Sequence, residues 1–281
     1  MIYISTGGFK DMTPSESIRY LNRNGINQIE LSGGKFEKNL SRTLKKFKTN
    51  HFSIHNYFPV PKKSFVINIA SLDNKVNQKS MKQLIKGINL AHKLNLKYFS
   101  FHAGFYLDPK PKNLGKKFEN PKIFPKNKSD VIFYSNLRKL ISYSKKRGIK
   151  IFIENNVITK KNLDLFKTNP LMLCIFSDFV KIRKKFSNDN LGFLLDIGHL
   201  KVSSKTLKKN FYDELKKVVP ISDALHLSDN DGHSDSNKPL KRKSKIWKIL
   251  KKKYKFITLE IYKKDADMLK KQIKIVNEKL Y

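Results

Sequence analysis

Short apolar, β-branched runs recur along the chain with helical segments between them. Strands are expected at 2–5 (IYIS), 28–31 (QIEL), 51–55 (HFSIH), 97–102 (KYFSFH), 150–154 (KIFIE), 192–196 (GFLLD), 222–227 (SDALHL) and 256–261 (FITLEI). Helices are expected near 14–24, 37–49, 74–94, 129–147, 172–187, 204–218, 242–253 and 264–279. The first carries a start signal, with Thr13 at the N-cap, Pro14 behind it and Glu16 at the third position. Gly25 and Gly148 sit where two helices should stop. Eight strand–helix units in one chain predict a parallel sheet closed into a single-domain (β/α)8 barrel over residues 1–281. The competing arrangement is an open doubly wound sheet. It lacks support here, because STGGFKDM after the first strand is not a dinucleotide-binding glycine pattern.

Two connections are long: residues 56–72 after the third strand and residues 103–128 after the fourth. Long loops inside a compact domain tend to be lids or binding loops. Both leave the C-terminal face, where barrel enzymes keep their active sites.

Composition adds bounds. The chain has 281 residues, 39% of them hydrophobic, enough for one large core. Its one cysteine, Cys174, rules out an internal disulfide framework and fits a reducing compartment. MIYISTGGFKDMTP lacks a basic start followed by a long apolar run, and no stretch of about 18 apolar residues follows. A soluble cytoplasmic protein without a membrane partner is expected. The net charge of +36 raises nucleic acid as a partner. Only seven of the 59 basic residues are Arg, the better fork for phosphate and bases. The Lys pairs are scattered, and Lys, Asn and Ile share A/T-rich codons. The charge therefore reads as compositional bias before it reads as a DNA footprint.

The chemistry collects at the strand ends. His55, His102, Glu154, Asp196, His226 and Glu260 close strands three to eight, and LGFLLDIGHL runs an apolar strand straight into Asp196 and His199. Gly198 is expected to turn the chain so that His199 faces the same space. Asp229, Asp231, His233 and Asp235 follow strand seven. Singly, each is explained as a cap or a satisfied polar group. Glu154 and Glu260 are harder to explain that way, since each closes an apolar strand where a carboxylate is costly unless paired or metal-bound. Converging carboxylates repel, and a divalent cation removes that repulsion. An oxygen-plus-imidazole set without thiol suits Mn, Mg, Co or Zn.

The motifs SIH at 53–55, FHAG at 101–104, IEN at 153–155, LDIGH at 195–199, LHLSDNDG at 225–232 and LEI at 259–261 resemble, in order and spacing, those of the xylose-isomerase-like barrel superfamily. It includes sugar phosphate isomerases and epimerases, ketose 3-epimerases and the type IV apurinic endonucleases. The epimerase branch implies a metal held by Glu154, Asp196, His226 and Glu260. The two glutamates then act as acid and base, and His199 binds substrate. The endonuclease branch implies three zincs on His55, His102, Glu154, Asp196, His199, His226, Asp235, Asn237 and Glu260. Its ninth ligand should be His, and here it is Asn237. The Gly-x-Gly that often follows is also missing, the chain running KPLKRKS.

The favoured reading is a metal-dependent isomerase or epimerase of a sugar or sugar phosphate. It works by proton transfer through an enediolate, with Glu154 and Glu260 as the acid/base pair. The alternative is a zinc-dependent apurinic endonuclease acting on abasic DNA. His55, His102, His199, Asp235 and Asn237 are substrate-binding or second-metal candidates. The Lys-rich loops could hold a phosphate or carboxylate, with no residue there singled out. Dimers and tetramers are common in such families, so a homo-oligomer is a further expectation.

Overall fold

A computed structural model describes residues 1–119, 122–187, 190–251 and 253–281. Eight parallel strands form a nearly closed barrel: β1 (Ile2–Ser5), β2 (Gln28–Leu31), β3 (His51–Ile54), β4 (Tyr98–His102), β5 (Lys150–Glu154), β6 (Leu191–Asp196), β7 (Ala224–Leu227) and β8 (Ile257–Leu259). The ladder runs β3-β2-β1-β8-β7-β6-β5-β4. The seam between β3 and β4 is closed at the top by a parallel bridge from His55 to Ser100, where the Asn56 N–H donates to the Ser100 carbonyl at 2.7 Å.

The helices are α1 (Pro14–Arg23), α2 (Leu40–Leu44), α3 (Asn74–Lys93), α4 (Lys126–Lys145), α5 (Lys160–Phe166), α6 (Phe176–Lys185), α7 (Ile197–Thr206), α8 (Phe211–Val218), α9 (Ile246–Ile249) and α10 (Ala266–Leu280). The Thr13–Glu16 capping box forms at α1, and Gly25 and Gly148 adopt positive φ past two helix ends. Three of the expected helices differ, and α5 forms where none was expected. The 37–49 segment yields only α2, whose buried apolar positions are Leu40 and Leu44. The 204–218 segment is broken in two, because Lys208 turns left-handed at φ 55° and the Asn210 side chain caps α8. In 242–253 only α9 forms, with Lys252 outside the described residues; the loop 103–128 likewise contains Asn120 and Pro121, which lie outside them. No helix among the described residues is long and apolar enough to cross a membrane.

Parallel strands buried on both faces read as unbroken apolar runs, which conceals their alternation. In β5, Ile151 and Ile153 join the shell against the helices while Phe152 and Glu154 face the barrel axis; β6 likewise sends out Phe193 and Leu195. The bottom of the barrel is plugged by Tyr3, Phe152, Leu194, Ala224 and Phe256, with the Phe152 and Phe256 rings edge-on at 5.3 Å. Directly above this plug the inward positions turn polar. Register sets them level, with His102 beside Glu154 and Asp196 beside His226.

Gly192 lies beside Phe152 in the ladder. A Cβ there would come within 2.5 Å of the Phe152 ring, which Tyr98 and Phe256 hold in place. Gly192→Ala should therefore overpack the plug and cost about 1–3 kcal/mol. A denaturation midpoint that falls with unchanged slope would show this; an unchanged midpoint would mean the plug yields freely.

Candidate active site at the barrel mouth

The top of the barrel gathers eight of the nine residues singled out at the strand ends. Glu154 is at the centre and fully buried. One carboxylate oxygen lies 3.2 Å from His55 Nε2 and 3.6 Å from His102 Nδ1. The other lies 3.3 Å from His226 Nδ1 and 3.6 Å from His199 Nδ1. His226 Nδ1 is also 3.2 Å from Glu260 Oε2. The imidazoles of His55 and His226 stack edge-on, with centroids 5.0 Å apart. His199 reaches Asp235 through Nε2 at 3.2 Å.

Asp196 explains how a strand runs into this site. Its Oδ1 accepts the His199 N–H at 2.6 Å and so caps α7, which starts immediately at Ile197. The expected turn at Gly198 is absent. Gly198 lies in the first helical turn, and its missing side chain instead leaves room for Ser228 Oγ, 2.8 Å from where a Cβ would be. His199 is aimed by its other nitrogen, which donates to the Asn155 carbonyl at 2.8 Å.

Asn237 stands apart. Its side chain is buried with the amide nitrogen unpartnered, and its backbone carbonyl accepts the Tyr262 N–H. Asp229, Asp231 and His233 turn away: Asp229 accepts from Lys201 Nζ, Asp231 from two backbone N–H groups of its own turn, and His233 meets Lys205.

The electrostatics are those of a strongly coupled cluster. Burial alone would raise the Glu154 carboxyl, but His102, His226 and His55 outweigh it and hold it well below the ordinary range. Burial likewise opposes the charged forms of His199 and His226. Asp196 with Asp235 raises the first, and Glu30 with Glu154 raises the second, well above an ordinary imidazole. His102, where burial wins, falls to about 4. Glu260 is pulled down to about 2, against burial, by its hydrogen bond from His226. Burial and neighbouring carboxylates push Asp196 well up.

Both Glu154 oxygens, Asp196 Oδ2 and His102 Nδ1 are buried without an aligned hydrogen-bond partner. Orphaned acceptors of this kind are costly. One ligand atom from each of Glu154, Asp196, His226 and Glu260 lies within 4.8 Å of the others, and His55, His102 and Glu154 form a second such group. The residues present therefore fit a divalent cation, with carboxylate and imidazole donors and no thiol.

Three residues escaped the sequence reading. Glu30 Oε2 takes His226 Nε2 at 3.0 Å and the Thr258 hydroxyl at 2.9 Å. The Tyr262 hydroxyl donates to Glu260 Oε1 at 2.7 Å. Asn68 stitches the two long loops together, its amide donating to the Phe105 and Leu107 carbonyls and to Asp108 Oδ1. Glu30 carried a usable signal, since QIEL buries a carboxylate in an apolar strand as IFIE does. A cavity above the cluster has two lobes, of about 430 and 190 Å³, which share His102, Glu260 and Tyr262.

Among curated proteins no sequence matches the chain. Solved structures do. A D-tagatose 3-epimerase-like protein superposes with a TM-score of 0.69 at 18% identity, covering 99% of this chain and 98% of that one. A Thermus thermophilus protein soaked with zinc chloride gives 0.66 at 16% identity, covering 99% and 98%. A D-psicose 3-epimerase determined in the presence of D-fructose gives 0.66 at 12% identity, covering 99% of each. Residues 18–271 match the family described as xylose isomerase-like TIM barrel, and the chain belongs to that family.

Proposed function

We propose that the protein is a metal-dependent sugar isomerase or epimerase, with Glu154, Asp196, His226 and Glu260 holding the cation. The observation that carries this reading is the placement of Glu154 and Glu260 about one imidazole nitrogen, at 3.3 and 3.2 Å from His226 Nδ1. A bound divalent cation supplies Lewis-acid polarisation of a substrate carbonyl and its neighbouring hydroxyl. Glu260 lines both lobes of the cavity, so it is the carboxylate that takes the proton from the carbon beside the carbonyl. Its other oxygen is held by Tyr262. Glu154 is enclosed by four imidazoles and, in this assignment, passes a proton drawn from solvent to the enediolate, while Glu260 releases to solvent the one it took. His199 and Asp235 line the smaller lobe and bind substrate hydroxyls. The sugar epimerases among the structural relatives agree with this reading.

The test is proton exchange. Metal-loaded protein in D₂O, given D-fructose, D-psicose and D-tagatose, should place deuterium on the carbon next to the carbonyl, and Glu260→Gln should stop it. The second reading, hydrolysis of abasic DNA, is favoured by the additional His55–His102–Glu154 group. Nicking of an abasic duplex without exchange into any sugar would replace the first reading with the second.

A further inference from the structure

Positive charge is concentrated on one flank of the barrel. Residues 38–107 hold 13 Lys and Arg against one carboxylate, Asp73, where the whole chain holds 59 against 23. The fold gathers part of this excess about two adjoining cavities, one at the foot of β3 and β4 and one between α2 and α3. The first, of about 590 Å³, is lined by Lys45, Lys48, Lys93, Lys97 and Lys255. The second, of about 760 Å³, is lined by Arg42, Lys86 and the same Lys45 and Lys93. All seven are exposed, and neither cavity has a carboxylate in its lining. Among the described residues, none of the seven comes within 4 Å of a carboxylate.

A Lys-rich composition alone does not produce this. Both lobes at the barrel mouth carry Glu260, and a cavity between α4 and α6 carries Asp130 and Asp178 beside Lys126 and Lys181. Helix ends, which favour cations, do not account for it either: Lys97 and Lys255 belong to no helix, and Lys86 lies two turns before the end of α3. The floor of the first cavity has a different character. Among the described residues no ladder joins β3 to β4 below the His55–Ser100 bridge, and Tyr3, Tyr98 and Ser53 line the cavity there. Ser53 is 6% exposed, and its buried hydroxyl has no hydrogen-bond partner. A hydroxyl left so is costly, and a polar ligand group in the cavity removes that cost.

We propose that this groove binds single-stranded nucleic acid, with the phosphate backbone along the lysines and an unstacked base seated against Tyr3, Tyr98 and Ser53. Evenly repeated single charges answer to a row of ammonium groups, and an aromatic floor with one unpaired hydroxyl answers to a base. Each cavity has the volume of a small-molecule site, room for roughly one or two nucleotides of a strand but not for a duplex. An anionic membrane is flat and does not reach the floor. An acidic protein segment satisfies the rim but has no planar base for the floor. The floor lies at the end of the barrel opposite the candidate active site, so the inference stands apart from both readings of that site.

The experiment is fluorescence anisotropy of the full-length protein with labelled oligo-dT and oligo-U of about 12 nucleotides, over a series of salt concentrations. Affinity should fall as salt rises. Lys45→Glu with Lys93→Glu, where the two cavities meet, should weaken binding about tenfold or more and flatten the salt dependence. Lys216→Glu with Lys217→Glu on α8, exposed and outside both cavities, changes the net charge equally and should cost less than about twofold. Ser53→Ala should weaken binding about threefold with the salt dependence unchanged. Thermal midpoints check that each variant is folded. Equal losses in the two lysine pairs would mean that binding follows net charge alone and would overturn the inference. A duplex or poly-glutamate that competes as well as the single strand would overturn it too, as would the lack of measurable binding at low salt.

Discussion

Glu154→Gln should empty the proposed cation site and lower activity roughly 10²–10⁴-fold, the range for loss of a positioned acid or base. The substitution keeps the volume and removes the charge. Four imidazoles lie within 3.2–3.6 Å of this carboxylate, and it belongs to both groups of converging ligand atoms. No other side chain in the site has that position. Neutral Gln can present one carbonyl oxygen to one side of the cluster but an amide N–H₂ to the other, where imidazole nitrogens must act as acceptors to bind metal. Elemental mass spectrometry on protein purified without chelator, together with the thermal midpoint, checks this. Metal content should drop while the barrel still melts cooperatively. A variant with full metal and full turnover would remove Glu154 from both roles.

The fold was legible because its information is local and repeated. Each strand is a short apolar run, and the Thr13 and Gly148 boundary signals are sequence-near interactions that need no tertiary context. The candidate site was legible for the same reason: six consecutive strands each close on a carboxylate or an imidazole, and that repetition is what a single cap or satisfied polar group does not explain. Part of what escaped depends on contacts between distant segments, and part on local signals that point two ways. The start of α7 at Ile197 follows from the Asp196 carboxylate acting as a helix cap, whereas the glycine two residues on suggested a turn. The Lys-rich loops suggested anion binding because composition does not say which side chains line a cavity: Lys10 does, beside Phe65 and Leu114, while Lys62 and Lys63 do not. The loops are joined by Asn68 across about 40 residues of chain, a link invisible to local pattern. Glu30 was overlooked because its strand ends one residue later in Leu31, so the carboxylate falls inside the run and not at its close.

Glu30 leads to the second large effect. Its Oε2 stands 3.0 Å from His226 Nε2, while His226 Nδ1 faces Glu154 and Glu260. An imidazole offers a metal one nitrogen and hands the proton of the other to a neighbour, and a carboxylate in that place fixes both the tautomer and the ring angle. The Thr258 hydroxyl donates to the same oxygen and holds the carboxylate still. Glu30 Oε1 is buried without an aligned partner, a cost that orientation of His226 explains and packing alone does not. Glu30→Gln should therefore weaken metal binding about 10–100-fold, with the fold intact. The loss comes from a weaker acceptor and from the amide's alternative orientation, in which its N–H₂ would force the proton onto Nδ1. Competition against a chromophoric chelator reads the affinity directly, independent of turnover. Thr258→Val, which leaves the charge and removes the brace, should show a smaller loss of the same sign. Unchanged affinity in Glu30→Gln would mean that His226 is held by its strand alone and that the buried carboxylate serves some other end.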